Sequence, residues 1–304
     1  MKKYDVVAVG DANIDLMFRV PSLPKYDSKV VGKKINECVG GTVANSACVL
    51  GQLGTKTLSL SSVGDDHYGQ MILNDFKRFR VDTRFVDVIP RLSPNLAIIF
   101  LDHCGEKALV FSPSEETQTN RDNYTQAIKE SKVLYTMPGN IEKFKFMSGI
   151  CKMHNTKIAV DIEPHIADTK EKLETILTAS DIVIFNLEGF LTCTGLELTV
   201  YALRQLVEQY QLDVIVVTCG AEGAIAVTKD SHEKHDGFCV DVVDTTGAGD
   251  TFNASFLHAL LEEKTLKETL AFACASAAIS IGYLGARNSI LTKNKVEEFI
   301  NDYK

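Results

Sequence analysis

Short β-branched runs alternate along this chain with longer stretches whose apolar residues recur at every third or fourth position. Tyr4–Val9, Thr57–Val63, Val133–Thr136, Lys157–Val160, Ile182–Phe185 and Val214–Thr218 read as buried strands. Between them, Thr42–Leu53, Tyr68–Phe79, Ile141–His154, Lys170–Thr178 and Leu198–Tyr210 have helical spacing. Such alternation predicts βαβ units: an α/β fold with a doubly wound, mostly parallel sheet and helices on both faces. Ligands in that architecture lie at the carboxyl ends of the strands.

Two segments break the rhythm. Asp15–Cys38 and Asn95–Phe111 predict pairs of extended strands with no helix between them, and the second reads as a hairpin turning at His103-Cys104-Gly105-Glu106. Gly40-Gly41, directly after the first segment, supplies the backbone freedom of a hinge. The alternative is a pair of ordinary surface excursions. Either way the expectation is one domain over residues 1–304, with an appendage from about 15–38 and 95–111.

Composition narrows the function classes. A chain of 304 residues, 45% hydrophobic, can bury a large core. The net charge of −8, without a basic run, predicts no nucleic-acid partner. The eight cysteines form no Cys-x-x-Cys pair and no zinc-type group with histidine, so reduced thiols in a cytoplasm are expected. The apolar stretch after Met1-Lys2-Lys3 is too short for a signal peptide or a membrane span, so no membrane association is expected.

The chemistry concentrates at Asp244-Thr-Thr-Gly-Ala-Gly-Asp250, which runs into the helical pattern Thr251–Leu261. Gly247, Ala248 and Gly249 leave their backbone N–H groups open where a helix begins, a place that binds anions and phosphate above all. Asp250 lies against that hole. A resting phosphate would repel it, but a hydroxyl attacking a phosphoryl group needs a base there, with the developing charge held by the N–H groups. The bland alternative is a glycine-rich turn capped by Asp250.

Asp244-Thr-Thr-Gly-Ala-Gly-Asp-Thr-Phe252 resembles the C-terminal signature of the ribokinase-like (PfkB) carbohydrate kinases. Gly40-Gly41-Thr-Val-Ala-Asn45-Ser-Ala-Cys-Val-Leu-Gly51-Gln-Leu-Gly54 resembles their N-terminal signature. Weaker similarity runs from Val6 to about Ser289. The resemblance implies an ATP- and Mg²⁺-dependent kinase of a small sugar, with Asp250 as base. It also implies that the two strand pairs form a lid over the sugar, and several members join their lids into homodimers.

The acceptor side carries over residue by residue. Asn13 and Asp15, in the stretch Gly10–Asp15 that closes the first strand, match sugar-hydroxyl ligands, and an amide and a carboxylate there suit a polyol. Turn formation is their bland role. Gly41 and Asn45 match further sugar contacts; Asn45 otherwise reads as a helix-start residue. Thr42 stands where ribokinases often have Lys. Asp161-Ile-Glu163-Pro-His165 lies where fructokinase and ketodeoxygluconate kinase relatives show Asp-x-Asn-x-Arg. Glu and His there favour a neutral sugar over an anionic one.

On the nucleotide side, Thr218-Cys-Gly220-Ala-Glu-Gly223 resembles the family's phosphate-touching Thr-x-Gly-x-x-Gly, and Asn186-Leu-Glu188-Gly189 resembles its Asn-x-x-Glu element, which organises magnesium-bound water. Its acid, Glu188, comes one position early. Cys274 occupies a usual adenine-contacting Asn position. Many members also hold potassium, and the matching positions are Asp244, Thr246, Ser280, Gly285 and Ser289, an oxygen set that suits a hard cation.

Other motifs weigh less. Gly51-Gln-Leu-Gly54-Thr-Lys56-Thr57 lacks P-loop spacing. His232-Glu-Lys-His235 reads as a solvated loop. Gly64-Asp65-Asp66 resembles a structural turn of the family. The alternatives are a nucleoside or sugar-phosphate kinase on the same fold, or a non-catalytic nucleotide- or metabolite-binding regulator.

Overall fold

In β1 (Tyr4–Val9), Val6 and Ala8 enter one hydrophobic cluster while Val7 and Val9 enter another. That period-two division is the signature of a strand covered on both faces. The computed structural model describes residues 2–104, 106–115, 119–289 and 291–303.

The chain continues through β2 (Asn13–Arg19), β3 (Lys33–Gly40), α1 (Thr42–Leu53), β4 (Thr57–Leu60), β5 (Ser62–Gly64) and α2 (His67–Arg78). Next come β6 (Asp87–Ile89), β7 (Asn95–Leu101), β8 (Lys107–Ser112), α3 (Arg121–Lys129), β9 (Ser131–Thr136), α4 (Ile141–His154) and β10 (Lys157–Ile162). The second half holds α5 (Lys170–Ala179), β11 (Ile182–Asn186), α6 (Leu187–Thr194), α7 (Val200–Tyr210), β12 (Val214–Thr218), β13 (Ala224–Val227) and β14 (His232–His235). It ends in α8 (Ala248–Leu261), α9 (Leu266–Ile281) and α10 (Lys293–Asp302).

The main sheet has eight strands in the order β14-β13-β12-β11-β10-β9-β1-β4. All neighbours from β4 to β12 are parallel, and the β12–β13 and β13–β14 pairs are antiparallel. The mostly parallel, doubly wound α/β fold is therefore present. Helices α1, α2, α8, α9 and α10 pack on one face and α3 to α7 on the other. From β1 the chain winds to β4 on one side and later to β9 on the other. That reversal opens a crevice at the carboxyl ends of β1 and β9.

A second sheet, in the order β3-β2-β7-β8, stands apart from the first. Its β2 runs parallel to β7, with β3 and β8 antiparallel at the edges. Short links tie it to the main sheet: residues 10–12 lead from β1 into β2, and Gly41 leads from β3 into α1. The turn expected at His103–Glu106 includes Gly105, which lies outside the described residues.

Several expectations need correction. Thr57–Val63 is not one strand: β4 pairs with β1, whereas β5 pairs with β6 in a separate two-stranded sheet. Asn13 and Asp15 do not close β1; they open β2. His232–His235 is the edge strand β14, not a loop, although its side chains are half-buried or exposed. Helices α3, α6 and α10 were not anticipated. α3 offers three buried residues, Tyr124, Ala127 and Ile128, too sparse a stripe to register. Asp66 is structural as expected: it caps α2 by accepting from the Gly69 amide at 2.8 Å.

Candidate active site

Helix α8 starts without a side-chain cap. Its N-cap is Gly247, at φ 77°, a left-handed conformation that a β-carbon would strain. A β-carbon there would also lie 2.4 Å from that of Ala286, so the loop after α9 packs directly on this turn. The Ala248 amide is engaged with the Thr245 carbonyl at 3.2 Å. The amides of Gly247, Gly249 and Asp250 make no hydrogen bond among the described residues. Of the three amides expected to form an anion hole, those of Gly247 and Gly249 are open, as is that of Asp250, and that of Ala248 is not.

Asp250 is the third residue of α8 and caps nothing. Its Oδ2 accepts from Asn45 Nδ2 at 2.6 Å, and its carbonyl accepts from Ser46 Oγ at 3.0 Å. Burial pushes the carboxyl up to about 7; the Asn45 bond opposes this, the Glu163 charge adds to it, and the Arg287 charge opposes it. Beneath lies a buried polar layer. Asn253 Nδ2 donates to the Tyr135 hydroxyl at 3.3 Å, and Ser46 Oγ lies 3.3 Å from the same hydroxyl. Burial, with the Glu163 and Asp250 charges, holds the buried Asp161 carboxyl well above its ordinary range. A half-buried carboxylate beside open helix-start amides can take a proton from a hydroxyl while the amides hold negative charge.

Asn45 lies inside α1, one turn past its N-cap Gly41, and is buried. It does not start the helix. Asn13 donates to Asp15 Oδ1, and burial raises the Asp15 carboxyl above its ordinary value. Gly40 leaves room for that carboxylate, since a β-carbon there would clash with both of its oxygens. Asn13, Asp15, Gly41, Asn45 and Asp250 thus gather where β1, the second sheet and α8 converge.

Sequence reasoning named the loop 285–289 but missed its central side chain. Arg287 is buried. Its Nε donates to Asn45 Oδ1 at 2.7 Å, its Nη2 donates to the Gly40 carbonyl at 2.9 Å, and its Nη1 pairs with Asp75 of α2. No local pattern signals this, because the partners lie in three other elements.

The residues expected on the nucleotide side lie at the carboxyl ends of β11 and β12. Asn186 caps α6, its Oδ1 accepting from the Gly189 amide at 2.6 Å. Thr218 ends β12 and donates to the Phe185 carbonyl at 3.4 Å. Gly220 faces open space, whereas a β-carbon on Gly223 would lie 2.0 Å from the His235 carbonyl, so Gly223 is needed for packing against β14. Cys274 is buried in α9, its thiol pushed up to about 12 by burial.

Asp244 bridges the two expected cation loops. Its Oδ1 accepts from the Thr246 amide and hydroxyl at 2.9 and 2.7 Å, and its Oδ2 from the Gly285 amide at 2.8 Å. Burial works to raise this carboxyl, but those bonds and the Lys107 charge hold it below its ordinary value. Ser289 is buried nearby in sequence, at the end of the loop. The Ser280 hydroxyl donates to the Ala277 carbonyl at 2.7 Å and its carbonyl accepts from Tyr283, so its polar groups are engaged at the end of α9. An anionic, hydrogen-bonded Asp244 joining two turns fits a hard cation. Among the described residues, the one cluster of metal-capable side chains is Asp102, His103 and Cys104. Asp102 is a turn former there, accepting from the Cys104 and Glu106 amides.

The model of the pfkB family of carbohydrate kinases matches residues 3–293. A ribokinase of Haemophilus influenzae is 27% identical over 97% of this chain and 98% of its own. A probable chloroplastic fructokinase of Arabidopsis thaliana is 29% identical, covering 96% of this chain and 81% of its own. Among solved structures, Arabidopsis thaliana ribokinase complexed with ribose and ATP superposes with a TM-score of 0.85 at 22% identity, covering 99% of each chain.

Proposed function

We propose, from the premise that this chain belongs to the pfkB family of carbohydrate kinases, that it transfers the γ-phosphoryl group of ATP to a hydroxyl of a small neutral sugar. The observation that carries this reading is the Asp250 carboxylate, held by Asn45 beside the open amides that begin α8. In the reaction, Asp250 takes the proton of the acceptor hydroxyl. The freed oxygen bonds to the γ-phosphorus, the bond from that phosphorus to the β–γ bridging oxygen breaks, and ADP leaves with the electron pair. The Gly247 and Gly249 amides stabilise the charge that develops on the transferring group.

Asn13, Asp15, Gly41 and Asn45 hold the sugar; Asn186, Thr218 and Gly220 face the nucleotide phosphates. Magnesium, when bound with ATP, neutralises phosphate charge. Potassium, if bound, would be held by Asp244 with Thr246, Gly285 and Ser289, and would stiffen the turn that presents the amides. The Ser280 contribution is weaker, since its polar groups are already engaged. We read the chain as one domain whose second sheet is a lid over the sugar, in a homodimer joined through lids. The eight unpaired thiols support a cytoplasmic setting.

Glu163 and His165 supply no arginine to pair with a carboxylate or phosphate, and the Glu163 carboxylate would repel one, which supports a ketose or pentose acceptor. A nucleoside or sugar-phosphate acceptor, or a regulator without turnover, is the alternative. An ADP-release screen with ATP and Mg²⁺ over sugars, sugar acids, sugar phosphates and nucleosides tests this. Turnover highest on a neutral sugar is expected. A preference for phosphorylated or nucleoside acceptors would overturn the substrate class, and no ADP above background with any acceptor would favour the regulator.

A further inference from the structure

Arg287 has no assigned task in phosphoryl transfer, yet it is a buried cation with every arm engaged. The guanidinium only donates, so the Asn45 atom facing Nε must be the oxygen. The Asn45 NH₂ group must then face the other way, toward Asp250 Oδ2. The opposite amide rotamer would set NH₂ against a guanidinium and a carbonyl oxygen against a carboxylate, both repulsive. The chemistry of Arg287 therefore selects the orientation of the amide that touches the base.

We propose that Arg287 is a positioning residue for phosphoryl transfer: through Asn45 it aims a fixed N–H donor at Asp250 Oδ2, leaving Oδ1 as the oxygen that receives the acceptor's proton. The inference rests on the reading of Asp250 as base. No other side chain among the described residues bonds Oδ1. The ion pair with Asp75 on α2 and the bond to the Gly40 carbonyl anchor the guanidinium. The same side chain therefore ties the loop after α9 to the point where the second sheet joins α1.

The arrangement also favours the ionised base. Asp250 is faced by Asn45 from α1, by Arg287 from the loop after α9, by Asp161 and Glu163 from β10 and the segment after it, and by Tyr135 from β9. Of these, the Asn45 bond and the Arg287 charge favour the carboxylate, whereas burial and Glu163 oppose it. Removing Arg287 frees the Asn45 amide to rotate and removes a positive charge, and both changes raise the pH needed to ionise the base.

The experiment is the pH profile of kcat/KM, whose acidic limb reports the free enzyme's base. It is measured for the wild type, Arg287→Met, Asn45→Ala and the double variant, with neutral sugar and ATP. Because Arg287→Met leaves Asp75 unpaired, Arg287→Met with Asp75→Asn is measured beside it, and thermal melts confirm that each variant folds. The limb is expected to rise by about one pH unit or more in Arg287→Met, about tenfold less ionised base on its acidic side. In the double variant it should rise by less than the sum of the two single shifts, because the part carried through Asn45 is already lost in Asn45→Ala and only the direct charge effect remains. An unmoved limb in both Arg287 variants would overturn the proposal, as would shifts that add in the double variant, since Arg287 would then act by charge alone. Asp250→Asn with wild-type turnover would instead remove the base reading, so the two failures are distinguishable.

Discussion

The Asp250 carboxylate on α8 and the Asn45 amide on α1 meet at 2.6 Å although 205 positions separate them in the chain. The contact joins the two signature segments into one site. It also opposes part of a conflict: burial drives Asp250 toward its neutral form while its proposed task requires the charged one, which the Asn45 bond favours.

That conflict has a measurable consequence for stability. The folded-state value of Asp250 is raised to about 7 from an ordinary carboxylate value. Its contribution to stability is therefore fully present below the unfolded value and is lost as pH rises through about 7. Asp250→Asn removes that loss. Thermal melts should show Asp250→Asn melting a few degrees above wild type at pH 8 and level with it near pH 4. Equal melting temperatures at pH 8 would mean that the carboxylate is not held against its preference.

Gly247→Ala combines a strained φ with a 2.4 Å clash against Ala286, so the turn must shift. Displacing one aimed N–H donor lowers kcat by about 10²–10³-fold where such donors hold transition-state charge. Steady-state kinetics should show that loss in kcat with a smaller change in the sugar KM. A normal kcat would exclude these amides from the transition state.

The architecture was legible from periodicity because its strands are buried on both faces and its helices carry regular apolar stripes. Thr42–Leu53 and Ile141–His154 match α1 and α4 end to end, the first stopped by a left-handed Gly54 and the second framed by Asn140 and Asn155. The break at Ser61 was not legible, since β4 and β5 follow each other across a single residue with no Gly or Pro between them, yet they pair in different sheets. Within the site, Gly247–Asp250 stood out through the physics of a helix start, which is local. Arg287 did not: its partners Gly40, Asn45 and Asp75 come together only in three dimensions. The narrowing of the amide set by the Thr245–Ala248 bond is likewise a property of the turn's geometry.

Potassium at Asp244 is expected to act on kcat. With saturating ATP, magnesium and sugar, turnover in potassium should exceed turnover in tetramethylammonium at equal ionic strength. Asp244→Ala should be slow and indifferent to the cation. Equal kcat of the wild type in both salts would remove the site.

On β8, Leu109, Val110 and Phe111 are 56%, 55% and 53% exposed, a continuous apolar row on an edge strand. Such a strand is a template for pairing. Sedimentation equilibrium should show a dimer for the wild type and a monomer for Val110→Glu. A monomeric wild type at micromolar concentration would refute joining through the lids.

The central claim is that Asp250 removes the acceptor's proton, and the most direct measurement is kcat of Asp250→Asn on the best neutral sugar from the ADP-release screen. The substitution keeps size and removes the base. Positioned general bases contribute about 10²–10⁴-fold, so a loss of that size is expected, with ATP binding by calorimetry unchanged. A variant that binds ATP and turns over the sugar at the wild-type rate would contradict the account.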